Sequence, residues 1–225
     1  MNKRTGLDWW SHRAWIKFSC IIAAVVTIMI LINWENWSTE LKVVASIAAL
    51  IPIHVVEEWV FPGGFHYQYN FVMKSDCLEC YPMNRVSDML TNLMATFLYI
   101  ALTIVCVING NVSNGIVLGT IVFCALEFFM HTMFGSVMYA KFRGAGKTTI
   151  YGPGSITAYF GFTVLGVILL YCLDEKTISS ADWMVALGIL LFIGFGCILI
   201  PENLLKKKDS PYKYDNNGYF ERFIK

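Results

Sequence analysis

Long apolar runs, each broken by a few polar positions, make up most of this chain. Six are long enough to cross a bilayer: Trp15–Trp34, Val43–Val60, Met89–Ile108, Gly115–Tyr139, Ser155–Cys172 and Trp183–Ile200. A spanning helix needs roughly 20 mostly apolar residues, with about 17 at the lower edge. Trp15, Trp34, Trp59, Tyr139 and Trp183 stand at or near run ends, where interfacial aromatics belong. The first run lacks a small-residue cleavage site and is followed by further runs, so it reads as a helix that stays in the membrane. The pattern predicts an all-α polytopic protein. Residues 1–225 form a single membrane domain, a six-transmembrane-helix bundle with a polar tail over 201–225.

The polar positions inside the runs follow helical spacing. His54, Glu57 and Glu58 stand at i, i+3 and i+4, so both carboxylates lie near the imidazole's face one turn on. In the fourth run Glu127 and His131 are i, i+4, on a stripe that also carries Thr120, Cys124 and Gly135. In the third, Asp88, Asn92, Thr96, Tyr99 and Thr103 form another stripe. His54 lies about 9 Å from the end of its run and Glu127 about 18 Å from the end of its own. A lipid-facing charge at the bilayer centre costs roughly 2.5–3.5 kcal/mol. These faces are therefore expected to look at one another across the bundle.

Charge fixes the expected orientation. The segments before the first, third and fifth runs and after the sixth, with Lys17 at the start of the first run, hold fifteen Lys and Arg, and the opposite loops hold only Lys42 and Lys176. By the positive-inside rule both termini are cytoplasmic. A formal net charge of +1 argues neither for nor against nucleic acid by itself, and for a membrane bundle no nucleic acid is expected as a partner. The expected location is the plasma (inner) membrane. Five cysteines lie in the runs. Cys77 and Cys80 form a lone C-x-x-C in a cytoplasmic loop, half a zinc site to which His66 adds at most a third ligand. "GAGKTT" at Gly144–Thr149 resembles a phosphate loop, but Lys141 occupies the position of the first glycine and no strand precedes it. It reads as a flexible basic loop.

Taken singly, Glu57 and Glu58 pass for interfacial carboxylates, and His131 for a packing histidine. Two histidines and three glutamates converging on one half of the membrane point instead to a functional site. The order His54-x-x-Glu57-Glu58, then His131, then Tyr151-x-Pro153-Gly154 resembles the HXXEE family of small integral membrane proteins. The resemblance marks Tyr151, Pro153 and Gly154, which composition passes over, and names no reaction.

Two imidazoles and a carboxylate suit a divalent metal with one open position, zinc favoured and iron also served by such ligands. The expected ligands are His54, Glu57, Glu127 and His131. Glu58 is the expected general base and Tyr151 a further catalytic group at the cytoplasmic mouth, with Asn92, Asp88, Pro153 and Gly154 around them. The corresponding activity is a metal-dependent membrane hydrolase acting on a lipid-like or small-molecule substrate among membrane lipids. A proton-coupled transporter is the alternative, since His and Glu chains also build proton relays; a non-catalytic binding or immunity-type protein is another. The metal reading requires the two imidazoles within about one helix diameter, roughly 10 Å.

Overall fold

A computed structural model describes residues 6–173 and 177–224; Lys3, Arg4, Lys176 and Lys225 of the charge count lie outside these described residues. The helices are α1 (Gly6–Ile32), α2 (Thr39–Trp59), α3 (Phe65–Val72), α4 (Arg85–Asn109), α5 (Asn114–Phe142), α6 (Thr157–Cys172) and α7 (Ser180–Leu205), with a short 3-10 turn at Gly218–Phe223. There is no strand among the described residues. Five of the helices (α1, α2, α4, α5 and α7) are long and apolar enough to cross a membrane, and α6 is a shorter apolar helix. The chain is an integral membrane protein.

Local chemistry starts each long helix. Ser38, Ser113 and Ser179 accept from backbone amides of the first turns of α2, α5 and α7. Asn84 caps α4 by accepting from the Val86 and Ser87 amides, while Ser87 Oγ accepts from the Asn84 amide in return. The helix thus begins at Arg85, four residues before the apolar run, and Ser87 and Asp88 sit inside it.

α2 is the most enclosed helix, packed by α1, α4 and α6 and touching α5. Val44, Ile47, Ala48 and Ile51 on its inner faces meet Tyr99 of α4, Phe123 of α5 and Phe162 of α6. A helix enclosed on all sides is the one that can carry ionisable groups away from lipid. Near its far end, His54, Glu57 and Glu58 are all buried.

The end of the bundle near these groups is closed by elements that the apolar pattern does not reveal. Phe65–Val72, expected within a loop, is the helix α3. It follows Gly63 and Gly64, both at positive φ, and a Cβ on Gly64 would strike the Asn217 carbonyl. The tail folds back across this end. Tyr212 and Lys213 carbonyls accept from Arg85 (backbone amide, 3.1 Å; Nε, 2.6 Å), the Tyr219 amide donates to the Gly63 carbonyl at 3.0 Å, and Phe220 is fully buried. Lys147, expected on a flexible loop, is buried: its ammonium donates to the Tyr151 carbonyl and the Tyr219 hydroxyl and sits 4.6 Å from the Tyr219 ring centre. Burial pulls its pKa below that of an ordinary lysine. Pro201, expected just beyond the last helix, lies inside α7, which continues to Leu205.

Candidate metal centre

His54 from α2 and His131 from α5 face each other with ring centres 4.9 Å apart and planes nearly perpendicular. Between them lie two carboxylates. Glu58 Oε1 is 3.2 Å from His54 Nε2 and 3.6 Å from His131 Nε2, and Glu127 Oε2 is 3.7 and 3.6 Å from the same two nitrogens. The ligand atoms of His54, Glu127 and His131 all lie within 4.8 Å of one another, the one such group among the described residues. Both imidazoles and Glu58 are buried; the Glu127 side chain is 25% exposed.

The proton on His54 can be placed. Thr157 Oγ1 lies 2.6 Å from Glu57 Oε2, 3.1 Å from the Gly154 carbonyl and 2.7 Å from His54 Nδ1. The hydroxyl has one proton and two neighbouring oxygens that only accept, so it donates to one of them. At 2.7 Å the ring must then donate to the hydroxyl, and Nδ1 carries its hydrogen. In the neutral imidazole Nε2 is a bare lone pair aimed at two carboxylates. Such an arrangement requires a positive species between them, either a proton or a metal ion. For His131, both Nε2 contacts at 3.6 Å exceed hydrogen-bond reach, and its buried Nδ1 has no partner among the described residues. Around a zinc ion with ligands at 2.0–2.2 Å, neighbouring donor atoms sit about 3.4 Å apart. The separations of Glu127 Oε2 from the two imidazole nitrogens, 3.7 and 3.6 Å, fit that spacing.

Glu57 does not join the group. Its Oε1 accepts from the Ile156 amide at 3.0 Å and the Tyr151 hydroxyl at 3.3 Å, and its Oε2 from the Thr157 amide at 2.9 Å and Thr157 Oγ1 at 2.6 Å. With both oxygens occupied, Glu57 is an anchor for the start of α6 and not a ligand. Tyr151 reaches Glu57 and acts through it; burial first, then the Glu57 charge, pushes the phenol well above its usual pKa. Gly154 explains itself sterically. It has φ 89°, and a Cβ there would run into Cε1 of both His54 and His131. The backbone therefore lies across both rings, a close approach only glycine permits. Pro153 offers its carbonyl to Gln68 Nε2 at 3.3 Å.

Asp88 and Asn92 line the same cavity but form a separate network. Asp88 accepts from Trp59 Nε1 (2.8 Å), Tyr214 Oη (2.6 Å) and Asn92 Nδ2 (2.8 Å). Tyr214 and Thr157 were not singled out from the sequence, and Trp59 was read only as an interfacial aromatic. Thr157 had an available signal in its position three residues after the Pro-Gly; Tyr214, in a polar tail, had none.

The C-x-x-C is elsewhere. Cys77 and Cys80 sulfurs lie against the Lys208 carbonyl, and burial pushes the Cys80 thiol up to about 12, which disfavours a thiolate. His66 is stacked on Tyr214 with ring centres 3.7 Å apart, and burial lowers its pKa to about 3.

Fold and site together define a polytopic helical membrane protein with a buried His/Glu group able to hold a metal ion. The family described as "protein of unknown function with HXXEE motif" matches residues 45–169, more than half of the chain, and the chain belongs to it. No match was found among curated proteins or among solved structures.

Proposed function

We propose that the protein is a metal-dependent membrane enzyme of hydrolase type, acting on a lipid or other apolar substrate. In this reading six helices cross the plasma (inner) membrane with both termini cytoplasmic. The charge asymmetry supports the orientation, since Arg13, Arg85, Lys147, Lys208 and Lys213 belong to the end that carries the site. α6, though short, pairs along α2 and α5 as a crossing helix would.

The observation that carries the metal assignment is the convergence of two imidazole nitrogens and two carboxylate oxygens, 3.2–3.7 Å apart. His54, Glu127 and His131 would hold the ion, zinc before iron, a two-imidazole, one-carboxylate set that leaves a position open. A bound ion supplies a water acidified toward a pKa of about 7. Glu58, beside both imidazoles, is placed to accept a proton as general base. Thr157 and Glu57 hold His54 in the tautomer that turns Nε2 inward, the role that outer partners of ligand histidines play. Tyr151 is a positioning residue, because it touches Glu57 and none of the four converging groups.

Elemental analysis of the purified protein in detergent tests this. One equivalent of zinc or iron, lost in His54→Ala and in His131→Ala, is the expected result. Metal-free protein that cannot be loaded overturns it and returns the group to a proton relay or a structural cluster.

A further inference from the structure

The cavity at the cluster has a volume of about 150 Å3, and its walls are unequal. α2, α4 and α5 supply every carboxylate and imidazole; α7 supplies only Ile193, Cys197 and Ile198. Toward the bundle centre it ends on Ile51, Ala95, Phe123 and Phe162. Toward the tail, Phe65, Tyr69, Met83 and Phe134 cap it, with the folded-back tail outside them.

α5 and α7 meet closely at one end only. Gly115 and Gly119, a G-x-x-x-G spacing, lie against α7: a Cβ at Gly115 would be 2.7 Å from Val185 Cβ, and one at Gly119 would be 3.3 Å from Ala186 Cα. Small residues at this spacing let two helices touch where they cross and diverge beyond the crossing. Further along, α7 leaves α5 and packs on α4, through a π-helical segment, Phe192–Leu199, that also lines the cavity. The gap between the diverged halves lies at the level of Glu127 and Met130. Glu127 is the member of the cluster that keeps a quarter of its side chain exposed, and Met130 beside it is half-buried.

We infer that this gap is a lateral portal through which one hydrocarbon chain of an amphiphile enters from the bilayer, setting its polar end against Glu127, His131 and His54. This rests on the reading of the cluster as the functional site and names its substrate class. The other route is covered by aromatic side chains and the tail. An apolar cavity of about 150 Å3 takes a six-carbon ring, so the first carbons of a chain fit inside while the rest stays in lipid through the gap.

The test uses the full chain in liposomes with two C16 probes bearing a diazirine at the fourth carbon from the polar end, one a primary alcohol and one a carboxylic acid. Adducts are mapped by mass spectrometry after illumination. The alcohol is expected to label Met130, Ile193 and Cys197 with or without zinc. Filling the cavity by Cys197→Trp should cut labelling at Met130 and Ile193 at least fivefold, leaving adducts on lipid-facing Phe160 and Phe195 unchanged. Should Cys197→Trp fail to fold, Met130→Trp at the mouth replaces it, read at Ile193 and Cys197. Alcohol adducts confined to Phe160 and Phe195, or unaffected by either variant, overturn the portal. The acid is expected to label the cavity only in zinc-loaded protein. Loss of that arm alone, with the alcohol still inside, removes the metal and leaves the portal standing.

Discussion

Glu57 and Glu58 are consecutive carboxylates on one buried helix, yet the protein treats them in opposite ways. Glu57 receives four hydrogen bonds from the first turn of α6 and the loop before it, at 2.6–3.3 Å. Glu58 receives none of comparable quality and faces two imidazole nitrogens at 3.2 and 3.6 Å. A buried carboxylate surrounded by donors is a finished structural joint, since a charge out of water is tolerated when hydrogen bonds satisfy it. One set beside imidazole nitrogens without such donors is unfinished, and a proton or a metal ion completes it. Adjacent residues thus separate the joint that builds the fold from the group that could hold a metal ion.

Substitution of this pair tests the contrast most strongly. Glu57→Ala leaves the Ile156 and Thr157 amides and the Tyr151 hydroxyl without their acceptor and should lower stability by roughly 2–3 kcal/mol. Glu58→Gln should change the stability of metal-free protein by less than about 1 kcal/mol and weaken metal binding about 10–100-fold, as removal of a group beside the ligands does. Equal melting-temperature losses for the two variants would erase the distinction. Thr157→Val sharpens it by cutting the link between the halves: metal affinity should fall by about tenfold or more, since His54 Nδ1 loses its acceptor. Competition with a chelator measures both affinities.

A smaller effect belongs to pH. His66 has a folded-state pKa lowered from 6.5 to about 3, so the unfolded chain binds the extra proton first. The stability from burying it neutral is fully present above pH 6.5 and is lost as pH falls toward 3. Melting temperatures in detergent should therefore drop between pH 7 and pH 5, and His66→Phe, which keeps the stack on Tyr214, should flatten that slope. The smallest effect is expected from Cys77→Ser with Cys80→Ser. Metal content should not change, and a loss would place a ligand in that loop.

The helices and the converging faces could be read from the sequence because they depend on local periodicity. Glu127 and His131, one turn apart, could only lie on one face, and their burial opposite His54 follows from the cost of exposing them to lipid. Spacing did not distinguish Glu57 from Glu58, since i+3 and i+4 flank the same direction. Which one turns toward the cluster is decided by the amides of Ile156 and Thr157, far along the chain. α3 was hidden because FHYQYNFV is aromatic and polar without a clear apolar stripe. Lys147 was misread because its charge is satisfied by a carbonyl and aromatic rings contributed by a loop and the tail. The G-x-x-x-G of α5 was visible as a spacing, but its partner α7 was not.

The reach of Glu57 to Thr157 has a consequence in time. The two residues are 100 positions apart. At synthesis rates of about 5–20 residues per second, the carboxylate emerges roughly 5–20 s before the amides and hydroxyl that satisfy it. Throughout that interval α2 carries three ionisable groups whose eventual partners on α5 and α6 have not been made. The nascent second helix must wait in a place where water or another protein can hold those groups. A chain arrested after α4 should therefore remain bound to the insertion machinery, and release should begin only once the segment around Thr157 has been added.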